Sequence, residues 1–214
     1  GKRAGSAREM CERVAGRLKE KIEAGTRLHR DAVFLHTEPH HDDLILGCMP
    51  FIVRHVREHS TRHFFTTFTS GFTAVSNAFM LRQLRKLTEF MESVSFARLE
   101  TGGYFDPSDA AFRNADVWHY LDGVAADSRA VQDDAEMRRL YRTTVELHGD
   151  ADAAKIRARA DELIHYFESA YPGKKDPAPA QQLKGMCREW EAECLWGYFG
   201  WKGESVRHLR LGFY

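Results

Sequence analysis

The sequence predicts an α/β fold, built on a parallel sheet and a long helical segment. Short apolar runs typical of buried strands alternate with segments whose apolar residues recur at helical spacing. A polar cluster follows directly after the first of these strands. Strand, turn, helix and strand in this order open a βαβ unit, whose two strands lie parallel in one sheet.

The first half of the chain supplies this βαβ unit. Residues 6–24 are predicted to form an amphipathic helix, because apolar side chains recur there at helical spacing between charged ones. Residues 31–37 and 64–69 are predicted strands, rich in Val, Phe and Thr. Between them, residues 44–56 have helical character, although Pro50 must lie in the first turn or kink the helix.

The second half is predicted to be largely helical. Helices are expected over residues 77–97, 133–147, 151–171 and 181–199. Strand character returns at residues 205–214. The segment from about 77 to 180 is therefore a helical block between two α/β segments.

Composition narrows the class of protein and its partners. The 214 residues suffice for one sizeable domain. A formal net charge of +0 and no basic stripe argue against a nucleic-acid surface. No apolar run reaches the roughly 18 residues of a membrane span. The four cysteines form no CxxC pair, which favours a reduced, cytoplasmic protein, although four cysteines could also pair.

Three residues at the end of the first strand carry the candidate chemistry. His40, Asp42 and Asp43 lie where that strand leads into a helix, and sites in open α/β sheets form beyond such strand ends. Imidazole and carboxylate groups suit zinc, and a neighbouring acid can act as general base on water. The same residues could instead cap the helix, or serve a magnesium-dependent phosphoryl transfer.

The motif around these residues resembles a known family. The run from Phe34 to Cys48 contains His40, Asp42, Asp43 and Leu46-Gly47-Cys48, and is similar to the signature of LmbE/PIG-L zinc-dependent deacetylases. This resemblance implies that His40 and Asp43 are zinc ligands and that Asp42 is the general base. Two positions depart from the family pattern, since His41 replaces a proline and Leu44 replaces a common glutamate.

Two further segments agree with the resemblance. Residues 67–71 resemble the family's second strand, and residues 188–192 resemble its Arg-x-x-Glu helix. The resemblance implies that Arg188 binds an anionic or hydroxyl-rich part of a sugar; the alternative is an intrahelical pair with Glu191. Two other histidines, His36 and His208, are expected to be structural, whereas His41 could lie behind a zinc ligand or face solvent.

The resemblance also implies how the chain is organised. Residues 1–26 would form an N-terminal helix or linker, and residues 27–214 a Rossmann-like domain whose helical insertion spans about 77–180. The segment around His40 looks closest to a subgroup in which this domain follows a glucosamine-6-phosphate deaminase-like domain. The chain is accordingly expected to belong to a longer protein.

The resemblance implies that the function is zinc-dependent removal of an N-acetyl group from an amino-sugar-type substrate. A catalytic zinc site uses three protein ligands, and the signature supplies two. By resemblance, the third is a histidine beyond Tyr214, so the 214-residue chain alone is expected to be inactive. An inactive sugar-binding or regulatory module is the alternative, as is a part of a deaminase-like fusion protein.

Overall fold

The computed structural model describes residues 6–106, 109–171 and 173–212 and gives a mixed α/β fold. The helices and strands, in chain order, are α1 (Ala7–Thr26), β1 (Val33–Glu38), α2 (Asp43–Val56), β2 (Arg62–Thr69), α3 (Asn77–Phe90), α4 (Val94–Thr101), α5 (Ala110–Ala125), α6 (Arg129–His148), α7 (Ala153–Ser169), α8 (Ala178–Tyr198) and β3 (Val206–Leu211). Short 3₁₀ turns at Phe72–Ala74 and Gly203–Ser205 complete the described elements.

The three strands form one parallel sheet in the order β1-β2-β3, which confirms the predicted strand direction. His36 pairs with Phe65, which in turn pairs with Val206. Parallel neighbours require a crossover, and α2 provides the one between β1 and β2. All three strands therefore end at the same edge of the sheet, close to the candidate residues.

One face of the sheet packs against helices α2 and α8. Ile52, Phe65 and Trp196 are fully buried there, and the rings of Phe65 and Trp196 stack with centroids 4.0 Å apart. On the opposite face, Leu35 is 67% exposed and Phe64 is 38% exposed. Because side chains alternate along a strand, this exposed row is the expected counterpart of the buried one.

Helices α3, α4, α6, α7 and α8 form a second core of their own. Its buried apolar residues are Met80, Leu84, Leu87, Phe90, Phe96, Phe105, Met137, Leu140, Tyr141, Val145, Ile156, Ala160, Leu163, Phe167, Ala180 and Leu183. We call helices α3 to α8 the helical block. It meets the sheet through α8, whose Ala192 and Trp196 belong to the sheet core.

Buried ion pairs join the helices of this block. Arg139 on α6 lies between Asp116 on α5, at 3.3 Å, and Glu193 on α8, at 2.6 Å. Arg142 adds a second contact of 2.8 Å to Asp116. Burial alone would raise the pKa of Glu193, but Arg139 and Arg113 beside it hold that pKa well below its usual value.

Several predicted boundaries are wrong. The helix expected over 77–97 ends at Phe90, and Ser93 starts α4 by accepting a hydrogen bond from the backbone N–H of Phe96. Helix α5 was not predicted at all. Helix α2 begins at Asp43, so Pro50 lies in its interior rather than in its first turn, and a kink is the alternative that stays a prediction.

The helix and the strand at the two ends of the described chain agree with the elements predicted from sequence. Helix α1 is amphipathic as predicted, but it has no buried residue. The strand predicted at 205–214 is found at Val206–Leu211, while residues 213 and 214, like residues 1–5 of the N-terminal segment, lie outside the described residues. None of the helices in the described part of the chain combines the length and apolar composition that a membrane span needs.

Candidate functional site

The candidate residues lie in the turn between β1 and α2, at the carboxyl edge of the sheet. The buried side chain of Glu38 fixes this turn, because it accepts hydrogen bonds from the backbone N–H of Leu44 at 3.1 Å and from the Thr67 hydroxyl at 2.8 Å. Burial raises the pKa of Glu38. The end of β1, the start of α2 and the middle of β2 are thereby held together.

His40 and Asp43 converge within this turn. The Nδ1 atom of His40 lies 3.3 Å from Oδ2 of Asp43, and the same oxygen accepts the backbone N–H of His40 at 2.9 Å. Their side chains are 39% and 44% exposed, so solvent or a ligand can reach both. The two residues predicted to bind zinc are therefore close neighbours at an accessible position.

Asp42 is the N-cap residue of α2, but its side chain makes no capping hydrogen bond. Its Oδ1 atom lies 3.4 Å from Nη2 of Arg188, and the side chain is 57% exposed. The helix-capping role considered for Asp42 therefore receives no support from the geometry. Asp43, in the first turn of α2, instead places a negative charge near the positive end of the helix dipole.

Arg188 reaches this turn from α8, which is distant from it in the sequence. It contacts Asp42 and also lies 3.7 Å from Glu191, the intrahelical partner suggested by its i,i+3 spacing. Its side chain is only 14% exposed, and Gly71 makes room for it. Gly71 has a φ of 59°, and a Cβ atom there would lie 3.2 Å from Nη1 of Arg188.

Helix α8 can approach the sheet edge because it also carries a glycine. A Cβ atom on Gly185 would lie 2.7 Å from Cβ of Ser70, closer than side-chain atoms pack. Ser70 follows directly after β2. The absence of a side chain at Gly185 therefore sets the distance between α8 and the turn that precedes Gly71.

Two histidines with little exposed surface lie behind the turn. His41 is buried, with 4% of the residue exposed, and 9% of the His208 side chain is exposed; their ring centroids are 5.3 Å apart. Burial, followed by His208 and Arg188, lowers the pKa of His41 to about 3. The solvent-facing alternative for His41 is therefore wrong, and His208 lies in the last strand as predicted.

The interior position predicted for His36 is also confirmed. Its ring is buried in β1, and its Nε2 atom lies 2.9 Å from Nδ1 of His63. Burial and the neighbouring His63 and His55 lower the pKa of His36 to about 4. A neutral, hydrogen-bonded histidine inside the sheet core is a structural element, not a ligand at the site.

The described residues contain no group of three or more His, Cys, Asp or Glu side chains arranged to hold a metal ion. His40 and Asp43 form a pair, while His41, Asp42 and His208 are directed elsewhere or are buried. Comparison with protein-family models, with curated proteins and with solved structures found no match to this chain.

Sequence reasoning missed the charged residues that surround β3. Arg210 on this strand contacts Glu189 at 2.6 Å and Glu146 at 3.0 Å. These side chains line a cavity of 390 Å³ at the carboxyl ends of β2 and β3. No local motif marks these contacts, because they join residues from helices and a strand that are distant in the sequence.

Proposed function

We propose that this chain carries the metal-and-base cluster of a zinc-dependent N-deacetylase that acts on an amino sugar. The observation that carries the proposal is the convergence of His40 and Asp43, with Asp42 beside them, at the carboxyl edge of a parallel sheet. This edge is where open α/β sheets place their ligands. A Rossmann-like arrangement of the domain belongs to the same proposal.

The donor atoms fit zinc in both type and spacing. Imidazole nitrogen and carboxylate oxygen are common zinc ligands, and two ligands about 2.0–2.1 Å from a tetrahedral ion lie about 3.3–3.4 Å apart. The distance of 3.3 Å between His40 Nδ1 and Asp43 Oδ2 agrees with this value. Bound there, zinc would supply a Lewis acid that polarises the acetamide oxygen and lowers the pKa of water.

Asp42 is the residue that would accept a proton. Its carboxylate is exposed, and Arg188 holds one of its oxygens at 3.4 Å while the other can receive a proton from an attacking water. Water then adds to the acetamide carbon, the carbon–nitrogen bond breaks, and the proton passes to the leaving amine. The products are acetate and the free amino sugar.

The cavity at the ends of β2 and β3 suits a polyhydroxylated substrate. Its position, at the ends of β2 and β3, is at the same edge of the sheet as His40 to Asp43. Gln181, Gln182 and Ser70 line it together with Glu189 and Arg210, so its wall offers both donors and acceptors. Such groups match the hydroxyls of a sugar.

A cytoplasmic location remains part of the proposal and is supported by the four unpaired cysteines.

Zinc binding is the first test. The 214-residue chain should bind zinc weakly, because two protein donors hold it less firmly than the three of a catalytic site. His40→Ala or Asp43→Ala should abolish this binding in calorimetry, whereas His59→Ala, at a side chain 98% exposed, should not change it. Binding that persists in both site variants would refute the assignment of the ligands. Tight one-to-one binding by the unaltered chain would show that the third ligand lies within it, and not beyond Tyr214.

Catalysis is tested in a longer chain that includes the predicted third histidine. Asp42→Asn should retain zinc but lower acetate release from N-acetylglucosamine by about a hundredfold or more, the usual scale of general-base catalysis. Asp161→Asn is the matched control, because both side chains are 57% exposed and Asp161 lies on α7. Unchanged activity in Asp42→Asn would exclude it as the base, and loss of zinc would make it a ligand.

A further inference from the structure

The helical block contains a cavity that the deacetylase proposal does not use. It has a volume of 420 Å³ and lies between α3, α5, α6 and α8. Its walls are mainly apolar and include the rings of Trp190 and Tyr120, which meet edge to face with centroids 5.6 Å apart. A cavity of this size, with this lining, is typical of small-molecule sites.

Two carboxylates line the same cavity and are incompletely paired. Glu136 accepts a hydrogen bond from Gln83 at 3.2 Å, but its nearest cation, Arg129, is 3.7 Å away and also contacts Asp133 at 3.2 Å. Glu191 lies 3.7 Å from Arg188. A carboxylate offers about four acceptor positions, so both side chains can accept further hydrogen bonds.

The most buried cationic side chain in the wall already has partners on all three of its nitrogens. Arg139 uses its guanidinium on Asp116, on Glu193 and on the backbone carbonyl of Arg113. It also lies over the ring of Trp190, with its Cζ atom 4.5 Å from the ring centroid. It therefore offers little to an anionic ligand.

Two weaker acids that line the cavity have raised pKa values, to which burial contributes most and the two carboxylates add. Burial raises the pKa of Cys187 to about 12, and Glu191 and Glu136 are among the carboxylates that raise it further. Burial followed by Glu136 also raises the pKa of Tyr120. Partial desolvation raises the pKa of Glu191 as well, although 64% of the side chain is exposed; Arg188 lowers this pKa and Glu136 adds to the increase. A cation bound near the two carboxylates would relieve their mutual repulsion.

We propose that this cavity binds a small organic cation, namely a protonated amine on an aromatic or branched aliphatic body. The ammonium group would pair with Glu136 and Glu191, and the apolar body would pack on Trp190 and Tyr120. The Glu191 side chain is 64% exposed, so this end of the cavity is open to solvent. The site uses none of the residues from His40 to Asp43 and does not depend on the deacetylase proposal.

The test compares two ligands that share one apolar body and differ in the terminal group, which is a charged ammonium in one and a neutral hydroxyl in the other. Phenethylammonium and the neutral 2-phenylethanol are titrated into the 214-residue chain by calorimetry. We expect one-to-one binding of the amine with a Kd of about 1 mM or tighter, and binding of the alcohol at least about tenfold weaker. The double variant Glu136→Gln/Glu191→Gln should weaken amine binding by about tenfold or more and leave alcohol binding unchanged.

Matched controls separate this site from a general surface effect. Glu162→Gln changes a carboxylate that is 63% exposed on α7, outside the cavity, and should leave amine binding unaltered. If the double variant loses its helical circular-dichroism signal, Glu191→Gln alone should still weaken amine binding by about threefold. Equal binding of amine and alcohol, binding unaffected by loss of the carboxylates, or no binding of the amine would each overturn the proposal.

Discussion

The helical block and the sheet region differ in the side chains that they bury. Among the described residues, the block buries sixteen apolar side chains in one cluster, whereas the cluster on the sheet contains six. The sheet region instead packs histidines, with His36, His55 and His63 all buried. The candidate site therefore lies on the less apolar part of the molecule, while the helical block supplies most of the buried apolar surface. Three changes test this contrast.

The largest effect is expected at the ion pairs of the helical block. Arg139→Met should lower the free energy of unfolding by about 3–5 kcal/mol, because it breaks two buried ion pairs at once and leaves Asp116 only Arg142, and Glu193 only Arg113, as arginine partners. Arg159→Met is the control: this arginine is 52% exposed, and its pair with Glu162 contributes at most about 0.5 kcal/mol. Urea denaturation measures both, and equal losses would contradict the assigned importance of the buried pairs.

A smaller effect, confined to the sheet region, should depend on pH. The pKa of His36 is about 4 in the folded chain and 6.5 as a free group, so below pH 6.5 the unfolded chain binds a proton that the folded chain does not. Stability should therefore fall as the pH decreases from 6.5 to 4, by at most about 3 kcal/mol from this residue, and be flat above that window.

The contribution of His36 to this slope can be measured by substitution, while the buried His41, whose pKa is also lowered, keeps its own contribution. His36→Gln should make the loss of stability between pH 6.5 and 4 shallower, because the titrating group is removed. His59→Gln should leave the slope unchanged, since the side chain of His59 is 98% exposed. The measurement is urea denaturation at intervals of pH, and an identical slope in His36→Gln would contradict the assignment.

The smallest effect compares the two cores directly. Ile52 in the sheet core and Ile156 in the helical block are both 0% exposed. Each Ile→Val change should cost about 0.5–1.5 kcal/mol, with the larger loss at Ile156, where a larger buried cluster can relax less. Thermal and urea unfolding of the two variants measure the difference. A larger loss at Ile52 would reverse the order of packing inferred for the two regions.

The sequence predicted elements whose pattern is local. Strands β1 and β2 are short runs of apolar and β-branched residues, and the parallel order follows from the helix between them. Helix α5 escaped prediction because two of its buried positions are Asn114 and Asp116, which interrupt the apolar periodicity. Their burial is possible only because partners arrive from other helices, such as Arg139 and Arg142 for Asp116.

At the site, too, contacts between residues close in the sequence were predictable, and contacts between distant residues were not. The proximity of His40 and Asp43 follows from their spacing in a strand-to-helix turn. The contact between Asp42 and Arg188 does not, because it depends on how α8 packs against the sheet edge. His41 is likewise buried next to His208, which lies in the last strand. The sequence alone could therefore not decide between the buried and the solvent-facing alternatives for His41.

The close approach of Gly185 to Ser70 has a consequence for evolution. Even an alanine at position 185 would push α8 away from the turn after β2, and Arg188 lies on the next turn of the same helix. Among descendants of a common ancestor, a larger residue at 185 should therefore arise together with a changed residue at 70 or with loss of the arginine. Paired substitution at these positions would be a historical record of whether the contact between Arg188 and Asp42 was kept under selection.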